Sequence, residues 1–109
     1  MTKPPHSDWS ELGLGLAALT PALRDQYKQA GDETGIVVVR VERGSVAAQL
    51  GLGPGDVVLR VGARQVARVR KMRQAVEAAK KNGQQFVLLL VQRQRGRRWY
   101  ALSLHTGAP

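Results

Sequence analysis

Apolar residues along this chain switch between two spacings, and the switches mark its elements. Leu12, Leu14 and Leu16 alternate with Glu11, Gly13 and Gly15, the period of a short strand that carries glycines on its other face. Thr20-Pro21 then reads as an N-cap followed by proline at the first helical position, and Leu19, Leu23 and Tyr27 keep a helical spacing up to Gly31. The β-branched run Gly35 to Val41 predicts a buried strand. Gly44-Ser45 predicts a capped helical turn through Leu50, and the turn Gly51 to Asp56 feeds a strand over Val57 to Val61. After a reversal at Gly62-Ala63, the stripe Val69, Met72, Val76 and Ala79 predicts a helix from about Arg70 to Lys81, stopped by Asn82-Gly83. Phe86 to Val91 and Trp99 to Leu104 predict two strands joined as a hairpin across the charged reversal centred on Gly96. Strands and helices do not alternate strictly, which implies an α+β fold: a small, curled, partly open antiparallel barrel or sandwich of five to six strands with two to three helices.

The 109 residues hold one core, and 43% hydrophobic with 23% charged residues is an ordinary globular balance. Residues 1–10, polar and with two adjacent prolines, read as a tail or linker; 11–105 form the domain, and 106–109 a second short tail. No apolar run approaches the roughly 20 residues needed to span a bilayer, and Met1 to Asp8 lacks the apolar core of a secretion signal. With no cysteine, disulfides, thiolate metal sites and cysteine nucleophiles are excluded. Charge is the unusual quantity. From Arg60 onward there are 12 basic residues against Glu77 alone, net +11, whereas residues 1–59 sum to −2, so an anionic partner should meet the second half of the chain.

Catalytic and cofactor signatures are weak. Ser103 and His105 stand two apart without a nearby carboxylate, and no metal-ligand spacing occurs, so no catalytic residue, metal or cofactor is assigned. Gly13 to Ala18 fits G-x-G-x-x-A in form, but a proline-rich polar segment stands where the preceding strand of a dinucleotide fold belongs. Arg93 to Tyr100, with Arg95, Arg97 and Arg98 beside Trp99, has the composition of a nucleic-acid stacking surface; the commoner meaning of such a segment is a solvated hairpin tip.

Three separated stretches then agree. Glu11-Leu12-Gly13-Leu14, the segment Gly44 to Leu59, which looks like the pattern GSxAAxxGLxxGDxIL with Val58 at the isoleucine position, and the helix end Ala75 to Gly83 together resemble the PDZ domain family over residues 11 to about 104. The Thr-Pro-Ala-Leu helix soon after the leucine-glycine turn resembles the PDZ modules of HtrA/Deg-type serine proteases. The glycine motif can be aligned on Leu12-Gly13-Leu14 or two residues later; the first keeps the distance to Thr20 that those modules show. The resemblance implies a non-catalytic domain that captures the apolar C-terminus of a peptide or unfolded chain as an added strand. It assigns the carboxylate to the amides of Leu12, Gly13 and Leu14, and the groove to Leu14, Gly15, Leu16, Met72, Val76 and Ala79.

At the helix start Met72 cannot make the hydrogen bond that a histidine gives many relatives, which implies an apolar ligand residue there. The basic residue that often precedes the glycine loop is replaced by Asp8, Trp9, Ser10 and Glu11, which implies either weaker carboxylate capture or substitution by a basic residue from elsewhere, such as Arg73. Arg70, Lys71, Arg73 and Lys80 are expected to steer ligands that are acidic upstream of their end. The resemblance further implies a substrate-recognition or regulatory role in protein quality control, a monomeric domain in an oligomeric parent, and a periplasmic setting if the parent is an HtrA-like protease. All of this requires an open slot between the leucine-glycine turn and the late cationic helix. The alternatives are an inter-subunit docking module with an occluded groove, or a nucleic-acid binder using the Arg93 to Tyr100 hairpin.

Overall fold

A computed structural model of the chain describes residues 7–9, 12–27, 34–93 and 96–104. Among these residues, seven strands and three helices follow in the order β1 (Ser7–Trp9), β2 (Leu14–Ala18), α1 (Pro21–Gln26), β3 (Ile36–Val41), α2 (Val46–Leu50), β4 (Val57–Val61), β5 (Arg64–Gln65), α3 (Val69–Lys81), β6 (Phe86–Arg93) and β7 (Gly96–Ser103). All pairings are antiparallel in the sheet order β1-β2-β3-β4-β6-β7, and the two-residue β5 pairs with β4 alone. The α+β expectation holds. Two differences concern the edges: β1 lies in the stretch read as a tail, and the last hairpin is longer at its turn than the sequence implied. Arg95 and both histidines lie outside the described residues, so the Ser103–His105 spacing has no structural counterpart here.

The valine run of β3 and β4 is continuous because these strands are covered on both faces. Ile36, Val38 and Val58 enter the main core with Leu12, Leu14, Leu16, Met72, Val76, Ala79 and Leu89. The alternate residues Val37, Val57 and Leu59 pack with Ala17 and Leu23 under α1. Period-two alternation thus sends consecutive apolar side chains into two separate clusters. The main core is closed by α3, which crosses β2, β4 and β6.

Local chemistry sets the helix ends. Thr20 accepts the Leu23 amide at 3.2 Å with Pro21 at the first position of α1. Ser45 accepts the Ala48 amide at 3.1 Å and donates its own hydroxyl to the Glu42 carbonyl, while Gly51 ends α2 at φ 92°. Asp56, the single buried charged residue among those described, holds the following turn together. Its Oδ2 accepts the Gly53 amide at 2.9 Å and the Arg93 Nε and Nη2 at 3.2 and 3.0 Å, and Arg93 Nη2 also donates to the Gly51 carbonyl. The glycine-rich turn is therefore tied to the end of β6.

Candidate functional site

The leucine-glycine turn is positioned by contacts at both sides. Leu12 passes its carbonyl to the Ala47 amide at 3.2 Å, and Gly13 its carbonyl to the Glu42 amide at 2.9 Å, which anchors the turn to β3 and α2. Gly13 has φ 75°, and a Cβ built there would stand 2.2 Å from Ser45 Cβ. Only glycine meets both the backbone angle and the close approach. So anchored, the turn directs the amides of Leu12 and Gly13 at one point, where both donate to the Trp9 carbonyl oxygen at 3.1 and 2.8 Å.

Structure brings the expected residues to one place and then occupies it. Leu12, Leu14, Leu16, Met72, Val76 and Ala79 share one cluster, with Gly13 and Gly15 buried beside them. The slot between β2 and α3 is not open: β1 lies along β2 in the register Ser7 to Leu16, Asp8 to Gly15 and Trp9 to Leu14, and Trp9 joins the cluster at 6% exposure. Residues 7–9 are accordingly a strand rather than part of a tail. The physical reason is that β2 presents an unpaired edge and Trp9 an apolar ring to bury beside it. Met72, in the first turn of α3, is fully buried in the main core.

The cations distribute around α3 by its 3.6-residue period. Arg73 is half-buried with its guanidinium 5.4 Å from the centre of the Trp9 ring. A shallow cleft lined by Val69, Arg70, Arg73, Gln74 and Glu77 runs along this side of the helix. Lys80 lies seven residues beyond Arg73 on the same line and is 3.7 Å from Glu77. Lys71 is exposed and rotated to the opposite side. Trp9 and Val69 are the site residues that sequence reasoning missed. A lone tryptophan in a polar stretch three residues before the turn was the available signal.

At the far side of the sheet, Arg93 is committed to Asp56 and stacks 5.5 Å from the Tyr100 ring, which leaves Arg97, Arg98 and Trp99 as the exposed members of the proposed nucleic-acid surface. The G-x-G-x-x-A stretch continues as strand β2 and so offers no helix N-terminus to a pyrophosphate. Among the described residues no group of three or more His, Asp or Glu side chains is placed to hold a metal ion, and no helix is long and apolar enough to cross a membrane.

Comparison with known proteins agrees with this geometry. The PDZ domain model matches residues 10–99. A putative serine protease HhoB from Synechocystis is 35% identical over 75 residues, covering 62% of this chain and 18% of that protein. A probable periplasmic serine endoprotease DegP-like from Chlamydia trachomatis is 34% identical over 82 residues, covering 75% of this chain and 16% of that protein. The chain thus spans less than a fifth of these relatives. Among solved structures, the HtrA-type protease AlgW with a decapeptide superposes with TM-score 0.69 at 30% identity, covering 95% of this chain and 30% of that one. The HtrA3 PDZ domain bound to a phage-derived ligand (FGRWV) superposes with TM-score 0.68 at 21% identity over 91% of this chain and 84% of that one, a likeness of fold. A glycine turn aiming two amides at one oxygen, a strand edge beside a helix, and a family match over most of the length lead to one conclusion: this chain belongs to the PDZ domain family and resembles the modules of HtrA/DegP-type serine proteases.

Proposed function

We propose that this domain binds peptides by adding their C-terminal end as a strand to the edge of β2. The observation that carries the reading is the convergence of the Leu12 and Gly13 amides on a single oxygen at the end of a strand paired with β2. A terminal carboxylate delivered to that point receives two charge-assisted hydrogen bonds, with the amide of Leu14 next in line. In this reading the ligand's last side chain takes the place that Trp9 occupies, against the apolar cluster that includes Leu12, Leu14, Leu16, Met72, Val76 and Ala79. Arg73, whose guanidinium lies 5.4 Å from the centre of the Trp9 ring, then adds a cation at the ligand's end, while Arg70 and Lys80, and Lys71 from the other side of the helix, add to the positive field that favours acidic residues upstream. The resemblance to HtrA/DegP-type modules extends the proposal to a substrate-recognition or regulatory role in protein quality control within an HtrA-like serine protease, monomeric alone in an oligomeric parent and periplasmic with it.

Titration of the full chain with a tryptophan-free decapeptide ending in Asp-Phe-Val tests this. Binding on the order of micromolar is expected from so small an interface. Amide chemical-shift changes should centre on Leu12, Gly13 and β2, and binding should disappear with the carboxamide form of the peptide. Equal binding of the two forms, or of neither, would overturn the reading. The second reading, a docking module between subunits with an occluded groove, draws on the presence of β1 at the same edge; it requires a dimer or larger species in solution and no response to free peptide.

A further inference from the structure

The chain fills its own cleft in the manner of a ligand. β1 runs antiparallel to β2, its last residue stands opposite Leu14, the carbonyl of that residue takes both turn amides, and its side chain is buried beside α3 under the Arg73 guanidinium. Each contact that the proposed peptide would make at its end has a counterpart in Ser7–Trp9. Resting on the peptide-binding reading of this edge, we propose that Ser7–Trp9 is a built-in competitor, a cis-acting stand-in for the ligand that must leave β2 before an external chain end is bound.

The strand is built to hold the site and still be released. It is three residues long and pairs with β2 only, so few backbone hydrogen bonds retain it. Its advantage is connectivity, because a segment tethered next to the turn is present at high effective concentration. Its disadvantage is chemical. Trp9 offers the turn one neutral carbonyl oxygen, whereas a free chain end offers two oxygens sharing a full negative charge, to the same amides and within the field of Arg73. Low ligand levels therefore leave β1 in place, and ligands of the right charge displace it. The consequence for affinity is that the observed dissociation constant is the intrinsic one divided by the fraction of molecules with β1 released.

The test uses the full chain and the decapeptide ending in Asp-Phe-Val, fluorescein-labelled at its N-terminus, read by anisotropy beside its carboxamide form. Trp9→Ala removes the anchor of β1 and should tighten carboxylate binding by about tenfold, the effect of raising the released fraction from a tenth toward one. Unchanged or weaker binding by the variant, with dependence on the free carboxylate retained, overturns the competitor while leaving the peptide site standing. Binding by neither protein overturns both. A second readout does not depend on that variant folding: in a Trp99→Phe chain, Trp9 is the sole tryptophan, and a saturating dose of the unlabelled peptide should shift its emission to the red. Emission that stays unshifted at saturation overturns the proposal.

Discussion

Two leucine-glycine turns in this molecule perform the same local act with opposite consequences. In the turn at Leu12-Gly13, two amides end on the carbonyl oxygen of Trp9; in the turn from Gly51 to Asp56, the Gly53 amide ends on a carboxylate that also holds Arg93. The second acceptor is a side chain of the turn itself, buried and ion-paired, so that oxygen is a fixture of the fold. The first belongs to a three-residue edge strand, and it is this oxygen that the proposal has a ligand replace. If the proposal holds, the difference between the two turns lies in their acceptors: one oxygen is on a short edge strand, the other on a buried, ion-paired side chain.

The sharpest way to break that comparison is to give each turn a side chain. Gly13→Val, placed at φ 75° against Ser45, should cost at least about 3 kcal/mol in thermal unfolding. Gly53→Val, with open space around its Cβ and no positive φ, should change stability by less than about 0.5 kcal/mol. Similar losses at the two glycines would contradict the assigned difference. Next in size is Asp56→Asn, which removes the charge beside a partly exposed Arg93 and should destabilise by about 2 kcal/mol in urea unfolding. The variant should bind the decapeptide unchanged once folded, because its turn lies away from β2. The smallest effect sharpens the electrostatic side: Arg73→Gln should weaken binding of the Asp-Phe-Val peptide about threefold at low salt, against less than about twofold for Lys71→Gln, with both differences shrinking at 0.5 M salt. Equal losses at the two positions would show that total charge matters and that the position of Arg73 over the site does not.

Much of the architecture was legible because it is local. The strand Val57–Val61 and the Ser45 cap of α2 follow from residues within a few positions of each other, and the structure has them where the pattern puts them. The site was legible on its β2 side, where the glycines of the turn carry a backbone requirement that survives into the fold. On the helix side a stripe of apolar residues does not distinguish core from cleft. Met72, Ala75, Val76 and Ala79 form the buried face, while Val69 and Arg73 on the adjacent line border the cleft. β1 was not legible at all. Ser7–Trp9 has no alternation and only one apolar residue, and its strand conformation comes from the open edge of β2, a partner that no short window of sequence contains.

Sheet order has a mechanical corollary. β1 and β7 sit at opposite ends of the sheet, and they are held by three and eight paired positions respectively. Loss of β1 from its Ser7 end would open the pairs in order, from Ser7 and Leu16 to Trp9 and Leu14, without breaking any other pairing of the sheet. On the proposal above, release of those three pairs is what would vacate the cleft.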